Sequence, residues 1–188
     1  MLDNETRDAL EQSYQRIKVY QENIKVKQES SQQTECYERY HPIERVGIYV
    51  PGGKASYPST VLMTATLTQV AGVNEITVVT PPQNNGICQE VLAACYITGV
   101  HHVYQVGGAQ SIAALTYGTE TIKKVDKIVG PGNQYVAYAK KFVFGQVGID
   151  QIAGPTEIAL IIDESADLDA IAYDVFAPVS YTHLRAHE

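Results

Sequence analysis

KIVGPGNQYVAYAKKFVFG, residues 127 to 145, decides how this chain folds. A short apolar run, Lys127-Ile128-Val129, breaks at Gly130-Pro131-Gly132-Asn133 and turns directly into a helically patterned segment that closes on Gly145. Strand, glycine-rich turn and helix together make the repeating unit of parallel α/β sheets. The turn itself has two readings. Tight βα turns take glycine for steric reasons alone. A turn that leads into a helix N-terminus also offers unpaired backbone N–H groups to an anion such as a phosphate.

The same grammar continues outward from this stretch. Apolar runs VGIYV (46–50), EITVVT (75–80), HVYQV (102–106), DKIVG (126–130) and EIALII (157–162) read as strands. Between them lie PSTVLMTATLTQVAG, ICQEVLAACYITG, AQSIAALTYG and NQYVAYAKKFVFG, each closing on a glycine placed to be a left-handed helix C-cap. The order βαβαβαβαβ, with near-continuous apolar strands, predicts an α/β fold: a parallel sheet with helices on both faces. Right-handed crossovers then bring ligands to the carboxyl ends of the strands, near a switch in strand order. Upstream, residues 5–29 lack Gly and Pro and carry Leu10, Tyr14, Ile17 and Ile24 on one narrow stripe, which predicts an N-terminal helical arm. Such a stripe packs on the parent domain or forms a dimer arm. The polar residues 30–42 read as a linker, so the expected organisation is arm and linker over 1–42 and the α/β region over 43–177.

Composition removes several function classes. Fourteen Lys plus Arg against twenty-one Asp plus Glu give a formal charge of −7, which opposes a phosphate-backbone binder, so no nucleic-acid partner is expected. Cys36, Cys88 and Cys95 form no CxxC pair; the last two fall in a helical pattern, where thiols act as small hydrophobes and suit a reducing cytoplasm. The N-terminus has no basic and apolar leader pattern, and no run is long enough for a membrane span. A cytoplasmic protein without a membrane partner is expected.

Three strand–glycine–helix junctions carry the candidate chemistry: Pro51-Gly52-Gly53 with Pro58 near the next helix start, Gly107-Gly108 before Gln110, and Gly130-Pro131-Gly132-Asn133. At one edge of a parallel sheet they gather three helix N-termini around a crevice suited to a phosphate-bearing cofactor. None is a G-x-G-x-x-G fingerprint, because Tyr135 stands where the third glycine would fall after Gly130 and Gly132, and no P-loop occurs. On the residues alone, both readings of the turn stay open. Elsewhere the signals are weaker. Adjacent His101 and His102 point to opposite faces of a strand and read as surface residues. His183 and His187 have a helical zinc-site spacing that also arises by chance. Asp163, Glu164, Asp167 and Asp169 read as acidic groups at a helix start, where they complement the dipole.

Taken in order, Tyr49-Val50-Pro51-Gly52-Gly53, Val106-Gly107-Gly108-Ala109-Gln110, Tyr117-Gly118-Thr119-Glu120, Val125 through Asn133, and Ile152-Ala153-Gly154-Pro155-Thr156-Glu157 resemble the signature blocks of the histidinol dehydrogenase family, over roughly residues 3 to 177. The resemblance implies an incomplete Rossmann-like fold and a cytosolic, zinc-dependent, NAD-linked enzyme that works as a homodimer. Its reaction is the two-step oxidation of L-histidinol through an aldehyde to L-histidine. By the same resemblance Tyr49, Gln110 and Asn133 contact NAD, and Thr156 stands for a serine that contacts substrate, keeping the hydroxyl. The turn at residues 130–133 is then expected to line the cofactor crevice.

Past residue 177 the chain reads PVSYTHLRAHE (178–188), and Pro178 stands where the family carries a zinc-binding glutamine. Proline is expected to break that helix, and residues 178–188 read as a tail foreign to the family. His183 and His187 do not match its zinc histidine. The expectation is therefore a fragment of the enzyme, with no metal ligand and no catalytic acid or base of its own, inactive alone. The competing expectations are a non-catalytic nucleotide-binding module and a structural fragment that binds nothing. A generic NAD-linked alcohol dehydrogenase would also be possible in principle, but it lacks its fingerprint here.

Overall fold

A computed structural model describes residues 2–26, 38–52, 56–84, 86–100, 102–152 and 159–185. The chain divides into two compact units, Met1–Ile152 and Ala153–Glu188. The first begins with helix α1 (Asn4–Ile24) and continues β1 (Arg45–Tyr49), α2 (Pro58–Ala71), β2 (Glu75–Val79), α3 (Gln89–Ile97), β3 (His102–Tyr104), α4 (Gly108–Tyr117), β4 (Lys127–Val129), α5 (Gln134–Val143) and β5 (Gly148–Ile149). The strands form one sheet in the order β3-β2-β1-β4-β5, with every neighbouring pair parallel. This is the expected α/β architecture.

Alternation along the strands explains why helices cover both faces. Val46, Ile48, Ile76 and Val78 point into a core shared with Val61, Leu62 and Ala65 of α2 and Val91, Ala94 and Cys95 of α3. Tyr49, Val79 and Ile128 point the other way, onto Ile112 and Leu115 of α4 and Val136 and Val143 of α5. Burial pushes the Cys95 thiol up to about 12, so it stays protonated and packs as a small hydrophobe. Cys88 is half-buried just before α3 and donates its S–H to Glu90. Cys36 lies outside the described residues.

The expected C-cap glycines Gly72, Gly99, Gly118 and Gly145 all have positive φ. Pro58 occupies the first turn of α2, where its missing N–H costs nothing. Asp3 caps α1 by accepting from the Thr6 N–H at 2.7 Å. Leu10 is buried in the first core, and the Tyr14 hydroxyl donates to Gln69 of α2 at 3.2 Å. The arm is thus docked on its own domain. It ends at Ile24 rather than 29, because Lys25 leaves helical geometry and its ammonium donates to the Val70 carbonyl at 2.7 Å. Among the described residues no helix is long and apolar enough to cross a membrane.

Two expectations require correction. The run at 157–162, expected as the fifth strand, has no strand geometry over its described residues, 159–162, and Leu160, Ile161 and Ile162 are exposed. The sheet is instead closed by β5, pinned to β4 through the pairs Lys127–Gly148 and Ile128–Ile149. In the second unit, helix α6 (Leu168–Arg185) runs through Pro178 without a break. The proline removes one backbone N–H, a local cost of about 3 kcal/mol, and the turns on either side carry the helix across it. Before α6, Asp167 accepts from the Asp169 and Ala170 N–H groups at 3.1 Å, which makes it the cap that the acidic cluster suggested. Asp163 lies below its ordinary carboxylate range because Ser165 donates to it from both hydroxyl and backbone.

Docking of α1 is testable through Leu10→Ala, which should lower unfolding free energy by about 2–3 kcal/mol in urea titration. A loss under about 0.5 kcal/mol, the range of an ordinary surface change, would mean that the arm is not packed.

Candidate functional site

The strand order reverses between β1 and β4, since β2 and β3 extend one side of the sheet and β4 and β5 the other. The helices that follow β1 and β4 lie on opposite faces of the sheet, the arrangement at whose switch point open α/β sheets bind ligands. Beyond the strands the pairing persists for one residue, with the Val50 N–H on the Val79 carbonyl at 2.9 Å and the Thr80 N–H on the Tyr104 carbonyl at 3.0 Å.

The turns at this edge pack on one another with little room. A Cβ on Gly107 would lie 2.5 Å from Pro81 Cγ and 2.8 Å from its Cα, so the chain leaving β3 touches the residue just beyond β2. Gly108 opens α4, and its N–H donates to the Tyr49 hydroxyl at 3.3 Å. Gly130 has φ +108°, and a Cβ there would sit 2.2 Å from the Tyr49 carbonyl oxygen. No other residue fits that position. Tyr49 is buried at 2% exposure, and it holds the turn after β4 through its backbone and the start of α4 through its side chain.

The remaining expected residues lie on the elements that Tyr49 joins. Gln110 is exposed in the first turn of α4, with its carbonyl oxygen lying over Gly108. Asn133 is exposed at the N-cap of α5, where Oδ1 accepts from the Val136 N–H at 3.1 Å. Tyr49 therefore touches Gly108 and Gly130, two and three residues from Gln110 and Asn133. Thr156 lies outside the described residues, as does His101; His102 is exposed on β3.

Both readings of the opening turn find a place in this geometry. Protein packing alone demands glycine at 107 and 130. At α5 the anion-binding capacity is partly used, because Asn133 caps the helix itself. By contrast α4 has Gly107 at its N-cap and no side-chain cap; the Tyr49 hydroxyl takes the Gly108 N–H, and the N–H groups of Ala109 and Gln110 are the better donors for a bound anion. A helix start without a side-chain cap and two exposed amides supply donors of the kind that an anionic group takes. Zinc is different: among the described residues no three His, Cys, Asp or Glu side chains converge to hold a metal ion. A separate open groove between α1 and α3, lined by Asp8, Glu11, Tyr14, Arg16 and Tyr96, contains none of the expected site residues.

Sequence reasoning missed two groups behind the turn. Lys140 of α5 is 2% exposed and donates to the Gly130 carbonyl at 3.0 Å and to Asp150. Asp150 in turn accepts from the Gly130 N–H at 2.8 Å. The available signal was the helical spacing Val136, Lys140, Val143, which puts one lysine on the core-facing stripe.

Comparison with known proteins finds one family along nearly the whole chain, including residues 178–182 of the segment read as foreign to it. The family profile described as histidinol dehydrogenase matches residues 1–182, slightly wider at both ends than the motif-bearing region. Over 184 residues the chain is 96% identical to a histidinol dehydrogenase of Staphylococcus epidermidis (strain ATCC 12228), covering 98% of this chain and 44% of that protein. It is 77% identical over 184 residues to the histidinol dehydrogenase of Staphylococcus aureus (strain COL), with 97% and 44% covered. A crystal structure of histidinol dehydrogenase from Elizabethkingia anophelis matches with a TM-score of 0.84 at 38% identity, over 94% of this chain and 42% of that one. The chain spans less than half the length of these relatives.

The packing makes a graded prediction. Gly130→Ala should cost at least about 2 kcal/mol, from the positive φ and the overlap with Tyr49. Asn133→Ala should cost about 1 kcal/mol through the lost cap, whereas Asn133→Ser should stay within a few tenths. Equal urea midpoints for all three variants would contradict this geometry.

Proposed function

Because the chain belongs to the histidinol dehydrogenase family, we propose that it supplies the NAD-binding part of a zinc-assisted, two-step oxidation of L-histidinol to L-histidine. Family members are oxidoreductases of histidine biosynthesis. The observation that carries the NAD assignment is the buried Tyr49, in contact with both the start of α4 and the turn at Gly130, at the point where strand order reverses.

Bound NAD supplies a nicotinamide ring that accepts hydride from the substrate carbon. The chain's own groups would hold and orient it. The Ala109 and Gln110 backbone N–H groups and the Gln110 side-chain amide would donate to the anionic part of the dinucleotide. Asn133 uses its carbonyl oxygen for the helix cap and so directs its NH2 group toward the ligand. Tyr49 fixes the spacing between these two sets of donors. Thr156 is proposed to offer its hydroxyl to the substrate. No residue of this chain is proposed as a zinc ligand or as the acid or base for the alcohol. We further propose that the enzyme works as a cytoplasmic homodimer.

Calorimetric titration with NAD tests the assignment. The chain should bind NAD; Gln110→Ala and Asn133→Ser should each weaken binding about tenfold, the worth of one lost hydrogen bond to a ligand. Absence of NAD binding to the unsubstituted chain would overturn the assignment. With L-histidinol and zinc added, no NADH should form, and its appearance would refute the proposal that this chain lacks the acid, base and metal ligands.

A further inference from the structure

We infer that Lys140 and Asp150 form a buried clamp that positions the turn at residues 130–133 for the cofactor; this rests on the NAD assignment above. The clamp is built around both polar groups of one residue. Lys140 Nζ donates to the Gly130 carbonyl at 3.0 Å, and Asp150 Oδ2 accepts from the Gly130 N–H at 2.8 Å. The two side chains are joined to each other through Asp150 Oδ1, which also accepts from the Gln151 N–H at 2.6 Å. Gly130 is thus gripped from α5 and from the end of β5 while its α-carbon lies against the Tyr49 carbonyl.

A lysine on the core-facing stripe of a helix is a poor choice for stability alone. Its ammonium leaves water, and an apolar residue of similar shape would pack without that desolvation cost. Here the charge sits where Val136 and Val143 mark the buried stripe, and its partners are the turn carbonyl and a carboxylate only partly exposed. What the charge provides is direction. It fixes the peptide on each side of Gly130, the residue with φ +108°, and so sets where the chain emerges at Pro131 and Asn133. Asn133 then meets its own helix cap and keeps its amide aimed outward. Binding groups held in this way by buried supporting side chains lose little freedom when the ligand arrives. Lys140 and Asp150 are positioning residues, since neither touches the proposed cofactor path directly.

The test compares the unsubstituted 188-residue chain with Lys140→Met, Asp150→Ala and a control, Val143→Ala, which removes core packing from the same helix without touching the turn. NAD affinity is measured by calorimetry, and amide exchange of Gly130 is followed by NMR without ligand. Both clamp variants should weaken NAD binding at least about tenfold, with Gly130 exchange accelerated beyond that of the α5 amides. Val143→Ala should lower the melting temperature yet leave NAD affinity within about twofold of the unsubstituted chain, since a distant packing change is not coupled to the turn. If the unsubstituted chain binds NAD and the clamp variants bind it equally well, the clamp is overturned and the site assignment stands. If Val143→Ala weakens NAD as much as Lys140→Met, the pair acts only through stability and the inference fails. If the unsubstituted chain binds no NAD, the site assignment fails and takes the clamp's role with it.

Discussion

The pairing of β1 with β4 is the contact on which the rest depends. It joins Val46, Gly47 and Ile48 to Lys127, Ile128 and Val129, across the whole αβαβα excursion between them. At the amino end the register is locked by a reciprocal arrangement: the Arg45 N–H donates to the Asp126 carboxylate at 2.8 Å, and the Asp126 N–H to the Arg45 carbonyl at 2.9 Å. A slip of one residue would invert every side chain of the strand and lift Tyr49 off the second core. It would also separate the Tyr49 carbonyl from Gly130, whose missing Cβ is what allows them to meet. The close packing at the switch point is a consequence of this register.

Much of the fold was legible in the residues because periodicity and punctuation agreed. The runs that became β1 and β2 are apolar on both faces, and each following helix closes on a glycine with positive φ. The closing strand was not legible. EIALII has the composition of a buried strand, yet its described part is exposed, whereas the actual β5 is two residues long and begins with glycine. Nothing local marks Gly148–Ile149; its strand character comes from the edge that β4 offers. Pro178 misled for a related reason, since a proline's local cost is finite and a helix can absorb it.

The site was legible to a different depth at each layer. That glycine-rich turns gather at one sheet edge follows from alternation of strands and helices. Which side chains are proposed to meet a ligand did not follow from spacing, because none of the turns carries the dinucleotide fingerprint; Tyr49, Gln110 and Asn133 came from family resemblance. The supporting groups came from neither source. Lys140 hides beside an exposed lysine, Lys141, and only burial separates the two. The glycines also proved to have a double meaning that sequence cannot resolve: Gly107 and Gly130 are demanded by neighbouring protein atoms, while the uncapped start of α4 is the feature that favours an anion.

The most direct measurement is a map of amide chemical shifts during NAD addition to the 15N-labelled chain. Perturbations should concentrate at Gly108, Ala109 and Gln110 and at Gly130 through Asn133, the two backbone segments that Tyr49 joins. Shifts confined to the groove between α1 and α3, or no shifts at saturating NAD, would contradict a cofactor crevice at the β1–β4 switch.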